Sequence, residues 1–237
     1  MKSIDSTAFA RAGLLGNPSD GYHGKTISFT FSDFGATVRV SDSERIRIVP
    51  GKDDGLEFAC LDDFVGQIER CGYHGGIRLL KAAIVQFTRF GRCRNWKLDR
   101  PFQLTYTSNI PRQVGLAGSS AIVVATLKAL CRWFQVVIPP HLLATLAWRA
   151  ENEIGITAGL QDRVSQSFDG IVYMDFGQNV MQFEDGFVYG HYQRLTPVRP
   201  LRLYVAYAAD LAESTEVLHG QLRSKYESGD ENVIKVL

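Results

Sequence analysis

The stretch Pro111–Ala121, which reads PRQVGLAGSSA, carries residue types that could bind phosphate. A glycine-rich turn that opens a helix presents unpaired backbone N–H groups and the positive end of the helix dipole. The adjacent hydroxyls of Ser119 and Ser120 could cap the helix, or one could face a metal ion bound to the phosphate. The stretch alone is equally consistent with a capped turn, because it contains neither a Walker A loop nor a G-x-G-x-x-G pattern.

Two charged residues far from this stretch could take part in the same chemistry. Arg11 interrupts an apolar run at 8–16, where a buried charge is costly unless it is paired. It is therefore either a cation held in a site or an exposed residue on an edge strand. Asp162 ends a second glycine-bearing loop, which begins at Gly155.

Glu151 and Glu153 lie near the end of a predicted helix. At about 100° per residue, they fall at opposite edges of its apolar face, so either carboxylate could point into a site. Helical periodicity does not separate the two. Both could also be solvated carboxylates, which is the usual environment of this residue type.

Composition and charge exclude several classes of function. The chain has 237 residues and a net charge of +1, from 26 Lys and Arg against 25 Asp and Glu, so no basic field favours nucleic acid or a membrane surface. No apolar stretch is long enough to cross a bilayer, Met1–Asp5 lacks the apolar run of a signal peptide, and the four cysteines form no C-x-x-C pair. We expect a cytoplasmic protein without a disulfide framework, zinc site, nucleic-acid partner or membrane partner.

Predicted strands and helices flank the chemically interesting residues. Phe102, Leu104 and Tyr106 alternate with polar residues and predict a strand before the glycine-rich stretch, and 122–131 predicts a helix after it. Further strands are predicted at 8–16, 26–31, 36–40, 45–49, 171–176 and 201–207, with a turn at 32–35 and a hairpin at 181–189. Further helices are predicted at 62–71, 77–90, 139–154 and 214–226, with a helical turn before 168 and a proline-containing linker at 196–200.

The order of these features resembles that of the GHMP kinases, a family that phosphorylates small molecules. The glycine-rich stretch is similar to the family's P-x-x-x-G-L-x-S-S-A phosphate motif, although Ala117 and Gly118 shift the central glycine. Arg11 precedes Gly16 by five positions, as a Lys or Arg does in the first family motif, although the preceding Pro-Gly is absent here. The loop that ends at Asp162 is similar to the segment that ends in the family's catalytic aspartate.

Within the family, three phrases are most similar to the glucuronokinase branch. They are GLLGNPSD at 13–20, PRQVGLAGSS at 111–120, and AGLQDRV at 158–164 with VYMDF at 172–176. The resemblance covers nearly the whole chain and implies an ATP-dependent kinase that phosphorylates the anomeric hydroxyl of D-glucuronate, giving glucuronate 1-phosphate and ADP. Two alternatives remain: an inactive sugar- or nucleotide-binding protein on this scaffold, and a kinase for a galactose- or mevalonate-type alcohol.

The resemblance also implies roles for individual residues. Asp162 would accept the proton of the attacking hydroxyl, and Arg11 would keep Asp162 ionised and stabilise the transferred group. Mg²⁺ would be held by Ser120 and by Glu151, which has the family's spacing of eleven positions (162 − 11 = 151) before the base. ATP would lie against Pro111, Gly115, Leu116, Ala117, Gly118, Ser119, Ser120 and Ala121.

Recognition of a sugar acid is implied for residues near the first and last motifs. Asn17 and Asp20 would bind the substrate. Arg163 is a candidate for the substrate carboxylate, because a guanidinium binds a carboxylate bidentately. An ordinary structural arginine is the alternative at this position.

The implied fold is α+β. Residues 1–196 would form the GHMP kinase N-terminal domain, a mixed sheet with helices that the family shares with a ribosomal protein. Residues 197–237 would begin a ferredoxin-like C-terminal domain, which we expect to be incomplete because nothing after Val217 is similar to the family's third motif. Apolar surface left uncovered by such a domain would favour a homo-oligomer.

Overall fold

A computed structural model describes residues 2–50, 76–156, 159–199 and 201–207, with short pieces at 224–226, 228–230 and 233. The helix predicted at 62–71 and most of the helix predicted at 214–226 lie outside the described residues. The strands are β1 (Ser3–Leu15), β2 (Lys25–Asp42), β3 (Arg47–Ile48), β4 (Phe102–Ser108), β5 (Ile171–Asp175), β6 (Gln182–Glu184), β7 (Phe187–Tyr189) and β8 (His191–Leu195). The helices are α1 (Gly76–Cys93), α2 (Gly118–Phe134), α3 (Pro140–Glu153) and α4 (Gln161–Phe168).

The main sheet is built on the long antiparallel pair β1 and β2. The edge of β2 that faces away from β1 pairs with two strands. Both are antiparallel to β2: β4 pairs with its second half and β5 with its first half. At the two ends of the sheet, β3 runs parallel to β4 and β8 runs antiparallel to β5. Strands β6 and β7 form the separate hairpin that the sequence predicts.

A wide bulge replaces the turn that was predicted at 32–35. The pairing of β1 with β2 jumps from Phe9↔Gly35 to Ala10↔Phe31, which leaves residues 32–34 of β2 without partners in β1. Asn109 stabilises this irregular backbone: its side-chain oxygen accepts the Gly35 N–H at 2.7 Å, and its amide nitrogen donates to the Asp33 carbonyl at 3.2 Å. Because the backbone groups are satisfied there, the chain continues as one strand instead of turning.

The core lies between the sheet and the helices. Alternate residues of β1 are small where they are buried, with Ala8 and Ala10 nearly inaccessible, and this allows α2 to pack closely over β1 and β2. Helix α2 starts at Gly118, one turn before the predicted helix, and is buried along most of its length. The largest fully buried apolar side chains are Trp133, Phe87, Leu80, Leu104, Leu127, Leu130, Leu142, Leu146 and Met174.

The segment 201–207 differs from its prediction as a strand. These residues have no regular secondary structure, and no described strand pairs with them. Several of their apolar side chains are exposed, including Leu201 and Tyr204. In the described part of the chain, no helix is long and apolar enough to span a membrane.

Candidate functional site

Arg11 and Asp162 meet although they are 151 residues apart in sequence. Arg11 leaves β1 near its bulged second half, and Asp162 lies in the first turn of α4. The Arg11 Nε donates to Asp162 Oδ1 at 2.6 Å, and Nη2 contacts the same oxygen. The two side chains keep 12% and 20% of their surface exposed, so the pair lies at an open edge of the core.

The glycine-rich stretch is fixed by its carbonyl groups. The Gly115 carbonyl accepts Arg11 Nη1 at 3.3 Å, and the Leu116 carbonyl accepts the Arg11 backbone N–H at 3.4 Å. The Ala117 carbonyl accepts the side-chain amide of Gln166 at 2.9 Å and the Ala121 N–H at 3.1 Å. Three successive peptides are therefore held from the side of β1 and α4.

This arrangement sets the direction of the N–H groups in the stretch. In a trans peptide, the N–H points opposite to the carbonyl of the same peptide plane, so the N–H groups of 116–118 point away from the residues that bind the carbonyls. Among the described residues, no group accepts a hydrogen bond from the Leu116 or Ala117 N–H, and no side chain caps α2. Free N–H groups at the start of a seventeen-residue helix form a site that suits an anion.

Two positions in the stretch adopt left-handed backbone conformations. Gly115 has a φ of 76°, which glycine adopts without a steric penalty, and no atom lies within 4 Å of where its Cβ would be. Ala117 has a φ of 60°, which disfavours a residue with a Cβ. The hydrogen bonds to the Ala117 carbonyl therefore hold this residue in a backbone conformation that alanine does not favour.

A second ion pair, between Glu151 and Arg163, lies beside the first and is sealed from solvent. Nε and Nη2 of Arg163 each lie 2.5 Å from Glu151 Oε2, and the two side chains are 3% and 1% exposed. Arg163 Nη1 also donates to the Gly159 carbonyl at 2.8 Å. The Arg163 guanidinium is thus buried and already bound to protein oxygens, which favours the structural arginine over a ligand of the substrate carboxylate. The role of Arg163 stays a prediction.

Charge in this second pair depends on burial and on contact between the partners. Burial raises the pKa of the Glu151 carboxyl, while Arg163 and the Ser119 hydroxyl oppose that change. Burial works against the charge of Arg163, but Glu151 and Asp162 outweigh it and raise the guanidinium pKa. Since Arg163 Nη1 also lies 3.8 Å from Asp162 Oδ2, the two ion pairs form one chain of alternating charges.

The structure distinguishes the two glutamates that periodicity left equivalent. Glu151 faces the interior, whereas Glu153 faces α1, where it binds Arg89 at 3.0 Å and the Gln86 amide at 2.5 Å. The Glu153 contacts are exposed. Of the two glutamates, Glu151 is therefore the one that lies beside Arg163 and Asp162, and its role as a metal ligand stays a prediction.

Asp20 and Asn17 lie beside α4, on the turn that follows β1. Asp20 Oδ2 accepts the backbone N–H of Gln161 at 3.0 Å and so supports the start of α4. A Cβ on Gly159 would lie 1.8 Å from this oxygen, so the approach requires glycine. Burial raises the pKa of Asp20, and the Gln161 hydrogen bond opposes it. Asn17 is exposed beside Gly13.

The side chains of the predicted nucleotide-binding stretch do not all face the site. Leu116 and Ala121 are buried in the core, so they can act there only through their backbone. Ser120 is fully buried, with its hydroxyl 3.4 Å from the Ala117 carbonyl. The hydroxyl that influences Glu151 belongs to Ser119, which is half-buried. The assignment of Ser120 as a metal ligand stays a prediction, and Pro111 lies half-buried at the start of the stretch.

Two buried glutamines on α4 were missed from the sequence. Gln161 donates to the Ser28 hydroxyl at 2.6 Å, and Gln166 donates to carbonyls of β1 and of the glycine-rich stretch. Both are about 1% exposed. Polar residues in a helix are normally expected to face solvent. The feature of the sequence that could have indicated a role in the site was their position, one residue before and four residues after Asp162.

The donor set near Glu151 fits a magnesium ion only in part. Glu151 Oε1 is buried without a hydrogen-bond partner among the described residues, which suits a hard cation. The described residues contain no group of three or more His, Cys, Asp or Glu side chains that could hold a metal ion. A magnesium ion here would therefore keep water or phosphate oxygens among its ligands, which is usual for this ion.

Comparison with known proteins shows which proteins this chain is similar to. Residues 78–170 match the family described as "GHMP kinases N terminal domain". Glucuronokinase 1 of Arabidopsis thaliana is 39% identical over 98% of this chain, and probable glucuronokinase 2 of the same plant is 41% identical over 98%. The chain spans 64% and 63% of the lengths of these two relatives.

Solved structures agree on the fold. Galactokinase of Lactococcus lactis, complexed with galactose, superposes with a TM-score of 0.67 at 16% identity, covering all of this chain and 58% of that one. Mevalonate kinase of Methanococcus jannaschii superposes with a TM-score of 0.60 at 17% identity, covering 83% of this chain and 56% of that one. The predicted α+β fold is confirmed, and residues 78–170 form a GHMP kinase N-terminal domain.

Proposed function

We propose that this chain is the nucleotide- and substrate-binding part of an ATP-dependent sugar kinase that phosphorylates the anomeric hydroxyl of D-glucuronate. The products would be glucuronate 1-phosphate and ADP. The observation that carries the proposal is the position of Arg11, which binds Asp162 and the Gly115 carbonyl with one guanidinium. A candidate base and a candidate phosphate site thereby share one cation. The choice of glucuronate is supported by the Arabidopsis relatives.

The chain's own groups suit phosphoryl transfer, which depends chiefly on positioning and on neutralising charge. The N–H groups of 116–118 and the start of α2 would bind the nucleotide phosphates. Asp162 would accept the proton from the anomeric hydroxyl as that oxygen attacks the terminal phosphorus. Arg11 would stabilise the ionised carboxylate and the charge on the transferred group.

Magnesium, when bound, would neutralise charge on the phosphate oxygens, and Glu151 with Ser119 or Ser120 would hold it. The exposed Asn17 and the half-buried Asp20 lie on the turn beside α4, and they would contact the sugar. Asp20 Oδ2 already accepts the Gln161 N–H, so Asp20 can bind the sugar only through its remaining acceptor positions.

The direct test is ADP release from ATP and magnesium by this chain, with D-glucuronate, galactose and mevalonate as separate acceptors. We expect turnover with glucuronate above that with the other two. Asp162→Asn, which keeps the size of the side chain, should lower turnover at least about a hundredfold. ATP binding, measured by calorimetry, should persist in that variant.

Each alternative function has its own outcome in this experiment. Turnover with galactose or mevalonate alone would move the chain to another substrate of the family. ATP or glucuronate binding without turnover by any acceptor would support an inactive binding protein. Absence of ATP binding by a folded chain would contradict the proposal.

A further inference from the structure

Gln166 makes a contact that the predicted motifs do not include. Its side-chain nitrogen donates to the Phe9 carbonyl on β1 at 3.1 Å and to the Ala117 carbonyl at 2.9 Å. Both acceptors are carbonyl oxygens, so only the nitrogen of the carboxamide can face them. Gln166 is 1% exposed, so water does not replace these hydrogen bonds if they are lost.

The contact joins the three segments that form the site. Phe9 lies two residues before Arg11, Ala117 precedes the first turn of α2, and Gln166 lies one helical turn after Asp162. The backbone of Gln166 is itself held to α2, since its carbonyl accepts the Lys128 ammonium at 2.6 Å. The carboxamide is therefore presented from a fixed position on α4.

We infer that Gln166 is a positioning residue that fixes the Ala117–Gly118 peptide plane and so aims the Gly118 N–H at an anion. This inference rests on the proposed function for its consequence, the binding of ATP phosphates. Ala117 has the left-handed φ of 60°, which its side chain disfavours. Without the Gln166 donor, the peptide can rotate toward an ordinary conformation and carry the Gly118 N–H away from the site.

The test compares Gln166→Met with Ser165→Ala by native-state hydrogen exchange, without nucleotide. Methionine keeps the length and approximate volume of the side chain but donates no hydrogen bond. Ser165 is fully buried on the same helix, and its hydroxyl donates only to the Gln161 carbonyl, within α4. We expect exchange of the Ala121 amide, which donates to the Ala117 carbonyl at 3.1 Å, to speed up on the order of tenfold in Gln166→Met and to stay unchanged in Ser165→Ala.

ATP affinity supplies the second measurement. Gln166→Met should weaken ATP binding on the order of tenfold relative to Ser165→Ala. If Gln166→Met fails to fold, Gln166→Asn replaces it. Its carboxamide keeps the N–H donor on a side chain that is one methylene shorter, so the effects should have the same direction.

Unchanged exchange of the Ala121 amide, in a folded variant, would overturn the inference. So would faster exchange spread equally over α4 and β1, because that indicates general loosening instead of a local role. The exchange measurement does not involve ATP. Failure of the original chain to bind ATP would therefore contradict the proposed function. The hydrogen-exchange result would still decide whether Gln166 has the positioning role.

Discussion

Two arginine–carboxylate pairs lie side by side in this molecule, and they differ in almost every physical respect. Arg11–Asp162 lies at an open edge, joins β1 to α4 and also binds the glycine-rich stretch. Arg163–Glu151 is sealed in the interior and joins α4 to α3. The two pairs approach each other through Arg163 and Asp162 at 3.8 Å.

The difference separates a pair that can be rearranged from one that cannot. Opening Arg11–Asp162 returns both groups to partial contact with water, so a ligand can compete for either side chain at modest cost. Opening Arg163–Glu151 without a replacement leaves a charge in the core, which is far more costly. We infer that proton transfer belongs to the open pair, whereas the sealed pair holds α4 in place and leaves only Glu151 Oε1 available to a metal ion.

The largest effect is expected from removing one member of the sealed pair. Arg163→Met leaves Glu151 buried without its cation and should lower the free energy of unfolding by about 3–5 kcal/mol, less whatever Glu151 recovers by taking up a proton. Chemical denaturation at neutral pH measures this change.

The control for the sealed pair is the double variant Arg163→Met with Glu151→Gln, which removes both charges. It should recover much of the lost stability, because no ion then remains buried without a partner. Equal losses in the single and double variants would show that packing, and not charge, carries the Arg163 effect.

Arg11→Lys tests the open pair. A lysine keeps the charge but cannot contact Asp162 and the Gly115 carbonyl with one planar group, so turnover should fall on the order of tenfold. The free energy of unfolding should change by less than about 1 kcal/mol. A larger loss of stability than that of Arg163→Met would reverse the proposed distinction between the pairs.

Titration of Asp20, which lies beside α4 near the open pair, gives a pH-dependent test of stability. Burial raises its pKa, so the folded chain holds this proton more tightly than the unfolded chain does. Its contribution to stability is therefore present at low pH and is lost as pH rises through the folded pKa. Asp20→Asn keeps an acceptor for Gln161 and removes the titration. The stability of the original chain relative to this variant should decrease from pH 4 to pH 7, as measured by urea unfolding.

The smallest effect is expected at Glu153, the exposed counterpart of Glu151. Glu153→Gln weakens a surface contact with Arg89 and should change the free energy of unfolding by less than about 0.5 kcal/mol, with turnover unchanged. Paired measurements of unfolding and of ADP release check this. A loss of turnover would mean that the helix end near Glu153, and not only Glu151, contributes to the site.

Much of the fold was accessible from local pattern. The alternation in β4 and the apolar face of α3 follow directly from periodicity, and the strand–loop–helix order around Ala117 follows from glycine and serine placement. The turn predicted at 32–35 was wrong because composition does not show that Asn109, far along the chain, satisfies the backbone there. The division into domains at 196–197 stays a prediction.

The candidate site was accessible only in part, for a related reason. Residue type and spacing indicated Arg11 and Asp162, but the choice between Glu151 and Glu153 depends on which one meets Arg89 across a helix interface. The burial of Arg163 and the contacts of Gln166 likewise depend on long-range packing. Spacing identifies residues that can do chemistry, whereas burial decides which of them remain available to a ligand.

The bulge in β2 has a consequence for variation in chain length. Residues 32–34 have no partners in β1, while the paired stretches on either side keep their own registers. Adding or deleting residues at this point leaves both registers unchanged, so Arg11 stays on the same face of the sheet. The bulge therefore allows the segment at 32–34 to change in length while the spacing of the reactive groups is preserved.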